Sequence, residues 1–406
     1  MKKIIIINRF FYPDQSATSQ ILTDLLFNIT PDLDSKIHVV SSRGTYENNA
    51  VLPKRENKNN ISIHRVWTSN FGRGNLFGRA LDYVTFYIFA FISLLFLVNK
   101  NDIVVAKTDP PVISFVAYLV ARIKGARLIN WIQDLFPEVA GALGVLGQQS
   151  IIYKFLNSTK NISLRAADMN VVIGEVMAGR LIKLGITKDK ISVVHNWNIN
   201  TNTKYVPKLQ NELVKKWGLI DKFVIGYSGN FGRAHEYHSI KQLIVHYASH
   251  EDVVFLFIGG GKYYTDLKNF VEQRDYKNIV FKPYQSIENL NQSLSVADVH
   301  LISLNPELEG LIVPSKFYGL ASIGAPIIFI GNISGQISRT LVDSNSGFAV
   351  SNDDIKGLIE LVGDLISGKQ KTSEVSTNLK KLYNENYTPE VAYQKWKEIF
   401  SGIQCE

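Results

Sequence analysis

The sequence predicts an α/β protein built as two parallel-sheet domains in tandem. Short apolar, β-branched runs alternate with longer helical segments, the pattern breaks once and restarts, and no short internal repeat is visible. At 406 residues, with 46% apolar and 20% charged residues, the chain can bury a sizeable core, and its length suits two or three domains.

The opening Met1-Lys2-Lys3-Ile4-Ile5-Ile6-Ile7-Asn8 has the basic start of a signal peptide. Asn8, Arg9 and Asp14 cut its apolar run short, so it reads as a buried parallel strand. Further runs follow at Ile37–Val40, Ile103–Val105, Arg127–Trp131, Met169–Ile173 and Ile191–Val194. The polar stretch from Asn196 to Lys222, with a short amphipathic helix around Asn211–Trp217, is the linker. The pattern restarts with Phe223–Tyr227, Val253–Ile258, Ile279–Phe281, Val299–Ile302, Ile327–Phe329 and Phe348–Val350. A last helix, Pro389–Phe400, places Val391, Trp396, Ile399 and Phe400 on one packing face. The expected domains are therefore 1–198 and 199–388, facing a cleft, with 389–406 returning toward the first. Lys54–Asn60 reads as a polar, loop-like charge run.

One segment stands apart. Tyr83–Val98 runs sixteen residues without a charge, preceded by Arg65, Arg73 and Arg79 and followed by Lys100. It is slightly short for a spanning helix, and its aromatic start and basic flanks suit a helix in a membrane interface over 80–98. Burial beneath the first sheet is the other reading. Lysine and arginine outnumber aspartate and glutamate by 23 to 14 in residues 1–200 and nearly balance them, 21 to 22, in the remainder. A basic first half suits a polyanionic surface, and no nucleic-acid motif is visible, so an anionic membrane is the expected partner. The single Cys405 leaves no disulfide framework or cysteine metal site and suits a cytoplasmic protein.

Candidate chemistry sits in loops after strands. Gly229 and Gly232 allow close backbone approach to a phosphate, with Arg233 and His235 as charge-assisted donors. Gly259–Gly261 is not a dinucleotide fingerprint. In Glu307–Gly319 a polar loop opens a helix: its free N–H groups and Lys316 suit a phosphate, and Glu309 suits two vicinal sugar hydroxyls, although capping or surface roles fit both residues. Asp134 and Glu138 follow a strand as paired carboxylates able to position an acceptor hydroxyl or to cap the next helix.

Taken together, Tyr12–Gln20, Lys107–Pro111, Gly125–Arg127 with Trp131–Glu138, His195–Trp197, Tyr227–Glu236, Pro283–Gln285 with Ala297–His300, and Val313–Tyr318 resemble glycosyltransferase family 4, in its bacterial surface-polysaccharide branch of O-antigen, capsule and colanic acid. The resemblance runs over nearly the whole chain. It implies the GT-B fold, two Rossmann-like domains, and retaining, metal-independent transfer of a sugar, an N-acetylated or deoxy amino sugar by this branch, from a UDP-linked donor. The implied acceptor is a polyprenyl diphosphate-linked saccharide at the inner face of the plasma membrane. No cofactor or metal is implied beyond the nucleotide sugar.

By the same resemblance Arg233 and Lys316 meet the diphosphate and Glu309 the sugar, with Gly229, Asn230, Gly232, His235 and Ser315 around them. Pro283, Tyr284 and Gln285 lie near the base, and Ser16, Thr18, Ser19, Gln133, Asp134 and Glu138 on the acceptor side. The chain departs from the family pattern in three places. Gly319 stands where a second glutamate usually holds the ribose, Asn230 and His235 stand where an arginine–lysine pair usually holds phosphate, and Gln133 replaces the usual histidine. Two other readings are a nucleotide-sugar epimerase or hydrolase on the same fold, and a non-catalytic lipid- or polyanion-binding protein.

Overall fold

The computed structural model describes residues 2–46, 51–72 and 76–405. The chain divides into two units, one running to His195 and resumed from Pro389, the other Asn196–Thr388.

The first unit is built on β1 (Lys3–Ile7), β2 (Lys36–Ser42), β3 (Arg55–Lys58), β4 (Ile61–Val66), β5 (Ile103–Lys107), β6 (Arg127–Ile132), β7 (Met169–Val172) and β8 (Ile191–Val193). Among the described residues their order is β3-β4-β2-β1-β5-β6-β7-β8, parallel except for β3 against β4. Helices cover both faces, so Ile4–Ile7 and Ile103–Ala106 are sealed from solvent and read as continuous apolar runs.

The charge run at Lys54–Asn60 corrects the loop expectation. Arg55–Lys58 pairs antiparallel with β4 through a two-residue turn at Asn59–Asn60. Both asparagines have positive φ, 49° and 61°, the conformation that asparagine tolerates and that matches the twist of a tight hairpin. At the sheet edge a strand needs no apolar face, which is why composition read it as loop.

The apolar segment is a helix, Leu76–Leu97, in the crossover from β4 to β5. It has two faces. Phe86, Ala90 and Leu94, spaced four apart, are sealed in the core with Ile5, Val104 and Ala117, while Phe77, Val84, Ile88, Ile92 and Phe96 face outward. The helix is long and apolar enough to cross a membrane, but one face is part of the first unit's hydrophobic core. Of the basic residues before it, Arg73 lies outside the described residues. The last helix, Pro389–Cys405, seals Trp396 against Trp131 with ring centroids 4.7 Å apart, and Tyr393 donates to Asp24 at 2.6 Å.

The second unit carries β9 (Phe223–Asn230), β10 (Val253–Gly260), β11 (Ile279–Lys282), β12 (Val299–Ser303), β13 (Ile327–Gly331) and β14 (Phe348–Ser351), all parallel, in the order β11-β10-β9-β12-β13-β14. Chain order reverses between β1 and β5 in the first sheet and between β9 and β12 in the second. At such a switch point the following loops part and leave a crevice at the carboxyl ends of the strands.

Removing the Trp396 ring leaves a cavity against Trp131. Trp396→Ala should therefore cost the first unit roughly 3–5 kcal/mol, measured as an earlier thermal transition. An unchanged transition would contradict this packing.

Candidate functional site

In the second unit the switch point brings the loop after β9 beside the loop after β12. Phe231, fully buried, anchors the first loop by packing on Tyr227 at 4.4 Å and Phe257 at 6.0 Å. That anchor fixes the backbone at Gly229–Gly232. Gly229 and Gly259 are register partners with φ of 109° and 133°, and a side chain on Gly259 would collide with the Gly229 carbonyl, so only glycine lets the two strand ends close up.

Lys316 opens the helix Lys316–Ile323 after β12. Its Nζ reaches across to donate to the Asn230 carbonyl at 3.4 Å and stands 3.6 Å from the centroid of the Tyr227 ring. Burial drives its pKa well below the ordinary lysine value, although part of the residue still meets solvent. His235 donates from Nδ1 to the Ser303 carbonyl at 2.7 Å. Burial, then the neighbouring Lys316 charge, pushes its pKa down to about 3, so the imidazole is neutral. A lysine amine, a helix N-terminus and a glycine-opened turn thus meet at one point, an arrangement suited to an anion.

The other expected residues of this unit fall out differently. Tyr284, 61% exposed, lies across Gly260 at the end of β10, while Gln285 donates to the Pro283 carbonyl at 2.8 Å. Ser315 is exposed and makes no side-chain cap bond. Arg233 is exposed and makes no ion pair among the described residues. Glu309 is buried, and its Oε1 accepts from the backbone N–H of Gln336 at 2.8 Å. It therefore supports the start of the helix Gln336–Asp343, the helix-end role that sequence reading left open. Gly319 lies on the Lys316–Ile323 helix with ordinary space around it.

In the first unit the loops after β1, β5 and β6 gather a second cluster. Thr18 donates from Oγ1 to Asp109 Oδ2 at 3.0 Å, and its carbonyl accepts from Lys107 Nζ at 2.8 Å. Lys107, 0% exposed, also stands 4.0 Å from the Trp131 ring centroid. Burial lowers its pKa to about 7 against the opposing pull of Asp109 and Asp134. Asp109 is raised by burial, opposed by the Thr18 bond, Arg9 and Lys107. Asp134 reaches solvent, yet its dense surroundings, and then Asp109, push its carboxyl up to about 6, with Lys107 opposing. Two carboxyls and a lysine thus titrate as neighbours.

Neighbouring expected residues do not join them. Ser19 is fully buried and donates to the Asp14 carbonyl at 2.9 Å, while the Ser16 N–H is held by Asp14 Oδ1 at 2.8 Å. Gln133 is buried, with its N–H on Thr108 Oγ1 at 3.0 Å. Glu138 is ion-paired to the buried Lys160, so Asp134 and Glu138 do not form a free carboxylate pair. Sequence reading placed Lys107–Pro111 among the stretches that carry the resemblance but gave Lys107 and Asp109 no role of their own. Among the described residues no group of three or more His, Cys, Asp or Glu is placed to hold a metal ion.

No protein-family model matches the chain. It is similar to a probable glycosyltransferase, WbjE, of Pseudomonas aeruginosa, 23% identical over 335 residues, 82% of this chain and 83% of that protein. It is also similar to the capsular polysaccharide biosynthesis glycosyltransferase CapM of Staphylococcus aureus, 22% identical over 63% of this chain and 67% of CapM. Among solved structures, Anabaena HepE in complex with UDP-glucose superposes with a TM-score of 0.71 at 14% identity, covering 99% of this chain and 100% of that one. The fold is GT-B, and the sequence likeness is to bacterial polysaccharide glycosyltransferases.

Because the Lys107 cation holds the Asp134 pKa down, Lys107→Met should move that carboxyl above its value of about 6. A carbon-detected NMR titration of the Asp134 carboxyl reads this directly. A titration unchanged or moved to lower pH would contradict the cluster.

Proposed function

We propose that this chain is a glycosyltransferase of bacterial polysaccharide biosynthesis that takes its sugar from a nucleotide diphosphate donor held by the second unit. The observation that carries the reading is Lys316, placed by a helix N-terminus onto the glycine-opened turn at Gly229–Asn230. The sequence likeness to WbjE and CapM and the UDP-glucose complex of HepE support it. In this reading the second unit, with Lys316, Gly229, Asn230, Gly232, His235 and Ser315, receives the diphosphate. The exposed Arg233 swings in as a second cation. Tyr284, flanked by Pro283 and Gln285, faces the base.

The chemistry follows from charge. When the sugar–phosphate bond breaks, negative charge develops on the departing β-phosphate, and preorganised donors aimed there lower the barrier. Lys316 is suited to this because it waits partly desolvated: the arriving dianion raises its pKa and restores a full ammonium at the point of need. Asp134 and Asp109, with Lys107 beneath them, receive the acceptor hydroxyl in the first unit. The donor is UDP-linked and carries an N-acetylated or deoxy amino sugar. Attack comes from the face that the phosphate leaves, so configuration is retained, and protein cations and helix ends stand where a metal would otherwise act. Glu309 contributes by holding the loop before Lys316 to the Gln336–Asp343 helix. The acceptor is a polyprenyl diphosphate-linked saccharide, and the enzyme works at the inner face of the plasma membrane, resting on the outward face of the Leu76–Leu97 helix.

Heat-unfolding against a panel of nucleoside diphosphates and UDP-sugars tests the donor site. A ligand that binds only the folded state raises its stability. The expected result is a magnesium-independent upward shift with UDP and a larger one with a single UDP-sugar, both lost in Lys316→Ala. No shift with any nucleotide would overturn the reading.

A further inference from the structure

Away from both switch points, a cavity of about 540 Å³ opens on the first unit between the end of β4 and the Leu76–Leu97 helix. One wall carries Arg43, Lys54, Arg55, His64 and Arg65, and the other Trp67, Phe89, Ile92 and Phe96. No carboxylate lines it. Arg65 is sealed inside and paired to Glu56 at 2.7 Å, so it serves the fold. Arg43 gives one N–H to the Leu52 carbonyl at 3.0 Å. Lys54 and Arg55 are exposed and make no ion pair among the described residues.

The apolar wall continues beyond the cavity. Phe96 is 88% exposed and Phe77 75%, and Val84, Ile88 and Ile92 join them along one stripe of the helix. Trp67, 53% exposed, stands edge-on to Phe89 at 5.4 Å where the stripe meets the basic wall. Apolar surface of this extent is costly in water. An indole at the boundary between an apolar and a cationic surface is the arrangement found at the headgroup level of a bilayer.

We propose that this cavity is a binding site for an anionic membrane phospholipid, its phosphate between Arg43, Lys54 and Arg55 and its upper acyl chain against Ile92 and Phe96. Two features favour a lipid over a nucleic acid, which also carries phosphate: the cations are confined to one wall, and the opposite wall is aliphatic and aromatic apart from Ser93. A bulk phospholipid fits better than the reacting acceptor, because the cavity borders β4, two strands out from the β1–β5 switch point. The proposal deepens the membrane-surface part of the reading above and is independent of the donor chemistry.

The test is co-sedimentation of the full chain with vesicles of phosphatidylcholine alone or mixed with phosphatidylglycerol. Each surface cation near an anionic bilayer contributes on the order of 1 kcal/mol. The wild type should bind the mixed vesicles at least tenfold better, and Lys54→Ser/Arg55→Ser should lose roughly tenfold or more of that binding. Phe96→Ser should weaken binding to both vesicle types. Every variant should keep the wild-type circular dichroism spectrum and thermal transition without added nucleotide, which reports that each is folded. Equal binding to both vesicle types, or full binding by the double variant, would overturn the proposal. So would saturation by millimolar glycerol phosphate without vesicles, which would mark a free-phosphate site, or displacement of vesicles by duplex DNA.

Discussion

The second unit is organised around a lysine amine kept largely from water, its pKa held well below the ordinary value by burial. Lys316 lies against the Tyr227 ring and the Asn230 carbonyl, neither of which supplies a full counter-charge. Holding it there requires the rest of that region. Phe231 and Phe257 stack behind Tyr227, the Gly229 and Gly259 backbones close over the strand ends, and Glu309 ties the loop before Lys316 to the next helix. A charged Lys316 is costly there without a counter-charge, so an anion beside it would favour the protonated form. In the proposed reading that anion is the donor's diphosphate.

The first unit solves a related problem with opposite signs. Burial raises both Asp109 and Asp134 at the switch point, the Asp109 charge adds to the rise of Asp134, and Lys107 opposes the rise of both. Trp131 shields the lysine from one side and Trp396 backs Trp131, so the last helix of the chain supports the charge state of the cluster. A lysine near pH 7 and a carboxyl near pH 6 make this group responsive to modest changes in its surroundings, including a bound hydroxyl.

Much of this was legible in the sequence. Parallel strands buried on both faces must be apolar at every position, so Ile4–Ile7 or Val253–Ile258 announce themselves. Edge strands carry no such requirement, and Arg55–Lys58 went unseen. The apolar helix was legible as apolar, yet its division into a buried and an outward stripe depends on the sheet beneath it. The loop residues were placed correctly after their strands, but sequence does not say what a carboxylate is already holding. Glu138 meets Lys160, and Glu309 meets a helix end. Lys107 was given no role for the complementary reason: its setting is made by Thr18 and Trp131, far away in the chain.

The claim on which the account turns is that Lys316 recovers its charge when a diphosphate binds. Calorimetry of UDP binding at mildly alkaline pH, repeated in buffers of different ionisation enthalpy, counts the protons exchanged. The account predicts net proton uptake by the wild type and none by Lys316→Met, which keeps the side-chain stem on Tyr227. Binding without uptake in the wild type, or the same uptake in the variant, would contradict it.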